Sequence, residues 1–132
     1  MLDTNVLVDF QSGDSAVCKR VLSHPIDDLA TTVITVEEQL SGWYTLLRRA
    51  KDHEQLARAY QRLADSVLML SRFRLLSFTE NAIERFEHLR TLQLGVKHMD
   101  LRVAAISLKH GGTPATRNVT DFTGVPGLIV EN

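Results

Sequence analysis

The sequence has few of the features that mark secreted, membrane or disulfide-stabilised proteins. Its single cysteine, Cys18, excludes an intrachain disulfide and suits a reducing compartment. Apolar runs are far shorter than the roughly 20 residues that span a bilayer. The N-terminus also lacks the basic segment and apolar run of a signal peptide. We therefore expect a cytoplasmic protein without a membrane partner.

A large excess of charge of one sign is also missing. The formal net charge is −1 over 132 residues, which excludes a chain that binds nucleic acid through overall basicity. The exception is residues 48–74, which carry seven Arg or Lys against three Asp or Glu side chains. This basic segment, with Arg48 and Arg49 at its start, is a candidate contact for RNA phosphates. The alternative is that these side chains form ordinary solvated helix faces.

Short apolar runs alternate with amphipathic segments along the chain. Strands are predicted at 1–3, 29–34, 74–78, 113–117 and 128–130, and helices at 5–10, 14–24, 36–71, 79–94 and 100–110. This alternation predicts an α/β fold, a doubly wound parallel sheet covered on both faces. The length fits a single domain over residues 1–132. The first strand is short for a central strand, which usually has about five residues.

Residues 36–71 are predicted to form a helical hairpin inserted into this sheet. Two apolar stripes at helical spacing, joined by a short polar turn, indicate the inward faces of its helices. The stripes are Val36, Leu40, Trp43 and Leu47, then Leu56, Tyr60, Leu63, Val67 and Leu70. These stripes exceed what one small sheet covers, and the adjacent Trp43 and Tyr44 cannot both face one core. We therefore expect a homodimer built partly from this hairpin.

Four acidic residues are placed where the predicted fold would bring them together. Each follows a predicted strand or lies in the first turn of a helix: Asp3, Glu38, Asp100 and Asp121. Ligands of open α/β sheets bind at the carboxyl ends of the strands. Converging carboxylates repel each other unless a cation lies among them. The sequence therefore predicts a site of oxygen ligands for Mg²⁺ or Mn²⁺.

Each of these acids also has a purely structural interpretation. Asp3 and Asp100 suit helix N-caps, and Asp121 suits an Asx turn. Glu38 completes a capping box over residues 35–38, in which its carboxylate bonds back to the cap residue. Glu37 points about 100° away around the helix and is the weaker candidate ligand. The conjunction of four acids at one sheet edge is what favours the metal site.

Four segments in order resemble the PIN domain, and within it the VapC-type toxins of bacterial toxin–antitoxin pairs. They are LDTNVLVDF, TTVITVEE, MDLRVAAISL, and TRNVTDF followed by VPGL. The resemblance spans essentially the whole chain. It implies a doubly wound parallel sheet, a Mg²⁺- or Mn²⁺-dependent endoribonuclease, homodimers, and a cognate antitoxin as partner.

Carried over by position, the family's acidic residues fall on the four acids named above. Its polar residues in the last motif fall on Thr116 and Asn118, and the division of roles between Asn118 and Asp121 is open. The chain departs from the family pattern in its short first strand, in His98, and in Gln39, where a Leu is usual.

The expected function is hydrolysis of phosphodiester bonds in structured RNA such as tRNA. In this interpretation Asp3, Asp100 and Asp121 hold the metal, and Glu38 binds it or orients the attacking water. Asn5, Thr116 and Asn118 hold the carboxylates and the water in place. The alternative is a non-catalytic version of the fold that binds RNA or serves as a scaffold, and metal-dependent cleavage separates the two.

Overall fold

The computed structural model describes residues 1–2, 4–25, 28–112, 122 and 124–129, without the side chains of residues 4, 5, 8 and 9. Within these residues the chain forms helices α1 (Thr4–Gln11), α2 (Ser15–Leu22), α3 (Val33–Arg49), α4 (His53–Leu70), α5 (Glu80–Thr91) and α6 (His98–His110), and strands β1 (Ala30–Thr32) and β2 (Arg74–Leu76). None of the described helices is long and apolar enough to cross a membrane.

The described sheet is parallel, as the sequence predicts. Strand β1 pairs with β2 so that Ala30 lies opposite Arg74. On the other edge of β1, the amide of Leu2 donates to the Ala30 carbonyl at 2.7 Å, and the Thr31 hydroxyl donates to the Leu2 carbonyl at 3.1 Å. The start of the chain therefore lies beside β1, with β2 on the opposite side.

Two clusters of buried apolar residues pack against this sheet. One joins Leu2 and Leu29 to residues of α1, α2 and α4. The other joins Leu76 of β2 to α5, α6 and the segment that contains Phe122 and Val125. Helices therefore cover the sheet from two sides, which is the layer arrangement of a doubly wound fold.

Strand β1 is shorter than the predicted strand 29–34, because α3 begins at Val33. Thr32 is the N-cap, and its side-chain oxygen accepts from the Thr35 amide at 3.1 Å. The two threonine hydroxyls also lie 3.1 Å apart and are buried. Capping and the burial of Ile34 outweigh the strand preference of Val33 and Ile34, both β-branched. The hairpin consequently starts three residues earlier than predicted.

The predicted inward stripe of α4 is largely wrong. Leu56, Tyr60 and Val67 are exposed, Tyr60 by 57%. The buried positions are Ala59, Ser66, Met69 and Leu70. Ser66 of the buried face bonds to Gln39 of α3, and Leu56, Tyr60 and Val67 are left on the outer face. Helix α5 also buries a small residue and exposes a larger apolar one: Ala82 is buried and Ile83 is exposed.

Of the chain's later elements, helices α5 and α6 agree with the sequence, whereas the predicted strand 128–130 does not. Thr79 is the N-cap of α5, and its side chain accepts from the Ala82 amide. Helix α6 starts two residues before the predicted position and ends at Gly111, whose left-handed φ of 64° suits glycine. The predicted strand 113–117 lies outside the described residues. Leu128 and Ile129 are described and do not form the predicted strand, and residue 130 is not described.

Candidate active site

Glu38 lies in the second turn of α3, the helix that begins directly after the carboxyl end of β1. It is half-buried, whereas Glu37 is exposed, as the predicted helix phase requires. The capping-box interpretation is wrong, because Thr32 and not Thr35 is the N-cap. Glu38 is thus the sixth helical residue and cannot reach the cap amide. A capping box therefore does not explain the glutamate at position 38.

Asp100 lies in the first turn of α6 and is half-buried. The N-cap of this helix is Lys97, whose side chain makes no capping hydrogen bond. Asp100 is the third helical residue, so the N-cap interpretation is wrong for it as well. The positive end of the helix dipole still favours a carboxylate at this position. Helices α3 and α6, which carry Glu38 and Asp100, pack against each other.

Several predicted site residues lie outside the part of the chain that the structure describes. They are Asp3, Thr116, Asn118 and Asp121, and the side chain of Asn5 is likewise not described. Residues 1–2, 4–25, 28–112, 122 and 124–129 contain no group of three or more His, Cys, Asp or Glu that could hold a metal ion. Two of the four predicted acids are not among those residues. Glu38 and Asp100 are oxygen donors of the kind that Mg²⁺ and Mn²⁺ prefer.

The predicted RNA contacts Arg48 and Arg49 lie exposed in the last turn of α3. Arg48 donates to the Thr45 hydroxyl at 3.3 Å. Ten residues separate Arg48 from Glu38, which places the two about 15 Å apart along the helix axis. The structure therefore puts these arginines at the far end of α3 from the acidic residues, next to the hairpin turn.

Two polar residues near the acids were not predicted to matter from the sequence. Gln39 is only 6% exposed and accepts a hydrogen bond from Ser66 of α4. Arg102 of α6 lies over the rings of Phe78 and Phe86. The only signal for Gln39 was a polar side chain where an apolar one was expected. Nothing in the local sequence indicated the aromatic contacts of Arg102, because Phe78 and Phe86 come from another part of the chain.

Comparison with known proteins places the chain in a family. The PIN domain profile matches residues 1–126, while no curated protein sequence matches significantly. A toxin–antitoxin complex from Klebsiella pneumoniae is 28% identical with a TM-score of 0.68, over 98% of this chain and 94% of that one. FitAcB from Neisseria gonorrhoeae is 26% identical with a TM-score of 0.77, over 99% and 95% of the two chains.

A third solved structure is similar in fold at lower sequence identity. The DNA-bound VapBC of Salmonella typhimurium is 21% identical with a TM-score of 0.80, over 99% of this chain and 95% of that one. The parallel sheet, the helices on both sides and the hairpin are therefore those of an α/β fold that this chain shares with these structures. The chain belongs to the PIN domain family, and the fold class predicted from the sequence is confirmed.

Proposed function

We propose that this protein is the toxin of a toxin–antitoxin pair and acts in the cytoplasm as a divalent-metal-dependent endoribonuclease on structured RNA such as tRNA. Membership of the PIN domain family supports a nuclease. The similar complexes from Klebsiella and Neisseria support the pairing with an antitoxin. The observation that carries the proposal is that two helices in contact, α3 and α6, carry the half-buried acids Glu38 and Asp100 within two turns of their N-terminal ends.

The chemistry assigned to the site is water attack on a phosphodiester. A bound Mg²⁺ or Mn²⁺ supplies a water of lowered pKa and compensates charge on a nonbridging oxygen. Asp3, Asp100 and Asp121 would hold this ion, and Glu38 would bind it or orient the attacking water. The products would be a 3′-hydroxyl and a 5′-phosphate, because water attack needs no 2′-hydroxyl.

Other residues would hold this arrangement in place and guide the substrate. Asn5, Thr116 and Asn118 would donate to or accept from the carboxylates and the water. Arg48 and Arg49 would contact RNA phosphates at a distance from the cleaved bond, since they lie at the other end of α3.

Control by an antitoxin follows from the charge of the site. A basic side chain from a second chain would pair with the carboxylates or displace the metal. Arginine suits this because its planar fork meets a carboxylate with two hydrogen bonds. We further propose a homodimer, which the exposed apolar residues on α4 support.

The test is cleavage of a defined structured RNA by the purified full chain, with Mg²⁺, with Mn²⁺ and with EDTA. Cleavage should require the divalent ion, and Asp100→Asn should abolish it while Glu37→Gln retains it. Undiminished cleavage in EDTA would overturn the metal mechanism. RNA binding without cleavage under any metal would instead favour the non-catalytic alternative.

A further inference from the structure

Arg102 is held in an unusual environment next to the acidic site. Its guanidinium carbon lies 6.0 Å from the centroid of the Phe78 ring and 5.3 Å from that of Phe86. One terminal nitrogen, Nη1, lies 3.6 Å from the Met99 sulfur. Among the described residues, the buried Nε has no hydrogen-bond partner. The two rings and the sulfur thus hold the guanidinium in place while its Nε–H remains without an acceptor.

Further basic side chains surround the same ring. The guanidinium of Arg90 lies 6.0 Å from the Phe86 centroid, and the His98 ring meets Phe86 edge-on at 6.2 Å. Among the described residues, no carboxylate forms a salt bridge with Arg102 or Arg90. Guanidinium groups gathered near one ring repel each other unless an anion lies close to them, and a bound phosphate would supply that anion.

An arginine held against aromatic rings suits an anion. Its N–H groups point outward in the guanidinium plane, where an acceptor can reach them. A thioether sulfur is only a weak acceptor, and an unpaired buried N–H is unfavourable. A phosphate oxygen in the plane would satisfy these donors with charge-assisted hydrogen bonds.

We propose that Arg102, oriented by Phe78 and Phe86, binds an RNA phosphate adjacent to the one cleaved beside Asp100. The two residues are two positions apart on α6, which is about 3 Å along the axis but about 200° around it. Their side chains therefore diverge, so that Arg102 serves a neighbouring phosphate and not the carboxylate. This inference rests on the proposed ribonuclease function, because it takes RNA as the ligand.

Binding is best measured without catalysis. The affinity of the full chain for a short RNA stem-loop is determined in EDTA at several KCl concentrations. Arg102→Gln should weaken binding roughly tenfold, the effect of losing a charged hydrogen bond. It should also reduce the slope of log affinity against log salt by about one. Arg102→Lys should keep the slope but lose affinity, because lysine keeps the charge without the planar fork.

Arg85→Gln is the matched control. Arg85 is an exposed arginine on α5 that lines a different groove with Leu108, Lys109 and Pro126, so its loss should leave affinity and salt slope unchanged. Wild-type affinity and slope in Arg102→Gln would overturn the proposal. A loss of RNA affinity in Arg85→Gln as large as that in Arg102→Gln would also overturn it. If Arg102→Gln fails to fold in a thermal melt, wild-type affinity of Arg102→Lys overturns it instead.

The same set of variants separates this inference from the proposed function. If the wild type cleaves RNA with Mg²⁺ and Arg102→Gln binds normally, only the role of Arg102 is refuted. If RNA binds through Arg102 but is never cleaved, the nuclease proposal fails and the role of Arg102 stands. A loss of affinity for an acidic peptide, with RNA affinity unchanged, would identify a protein ligand and overturn the proposal.

Discussion

The hydroxyl of Ser66 on α4 donates a hydrogen bond of 2.9 Å to Oε1 of Gln39 on α3, and both side chains are buried. It is a polar contact in the interior of the helical hairpin. Within the part of the chain that the structure describes, the amide nitrogen of Gln39 has no hydrogen-bond partner. Because Gln39 follows Glu38 directly, this bond also helps to fix the rotation of α3, which leaves Glu38 half-buried and Glu37 exposed.

Removing one partner of this pair should be worse than removing both. Ser66→Ala leaves the Gln39 amide wholly unpaired in the interior, and we expect a loss of about 1–3 kcal/mol in the free energy of unfolding. Adding Gln39→Leu removes the buried amide and should restore most of that loss. Urea unfolding measures the stability of the single and the double variant. Ser77→Ala, at an exposed serine, is the control. A double variant as unstable as the sum of the singles would show that the two side chains act independently.

Glu38→Gln and Glu37→Gln should separate catalysis from stability. Neither glutamate caps α3, because Thr32 does. Both variants should therefore unfold close to the wild-type urea concentration. Cleavage should fall by at least about a hundredfold in Glu38→Gln, the range for losing a group that activates water. It should be nearly unchanged in Glu37→Gln. The opposite pattern would mean that the face of α3 that carries Glu37, and not the face that carries Glu38, borders the site.

Thr32→Ala should lower both stability and activity. It removes the oxygen that accepts from the Thr35 amide, so the free energy of unfolding should fall by about 1 kcal/mol. The start of α3 would then be less well held, and with it Glu38. Thr32→Ser keeps the capping oxygen and is the control in both assays. Equal behaviour of the alanine and serine variants would refute the capping role.

A charge on the exposed face of α4 should disrupt self-association. Val67 and Tyr60 present apolar surface there, and burying a glutamate between two copies is unfavourable. Val67→Glu should shift the mass measured by light scattering at micromolar concentration from dimer to monomer. Leu22→Glu, at an exposed residue of α2, should leave it unchanged. A wild-type chain that is strictly monomeric would refute the dimer.

Neutralising the acidic site should weaken the binding of the cognate antitoxin. The variant Asp3→Asn, Asp100→Asn removes two charges that an inhibitory Arg or Lys would pair with. Its affinity for the antitoxin should be lower and should depend less on salt than that of the wild type. Affinity and salt dependence equal to the wild type would contradict inhibition by a basic side chain.

The sequence alone determined the elements that carry local signals. Asp14 precedes α2 and accepts from the Val17 amide, Thr79 caps α5, and Gly111 ends α6 in the left-handed conformation. Each signal acts within one helical turn, so no distant contact is needed to interpret it. The order of strands and helices likewise predicted the parallel sheet, and the resemblance of four motifs predicted the family.

Only the tertiary structure decided between equal local choices. Thr32 and Thr35 are both suitable N-caps, and the strand β1, paired with β2 as far as Thr32, selected the first. The apolar stripe of α4 predicted one buried face, but the face with Ala59 and Ser66 is buried instead, where Ser66 bonds to Gln39 of α3, and Tyr60 lies outward. Such choices depend on contacts between residues far apart in the chain, which hydrophobic periodicity within a single helix does not encode.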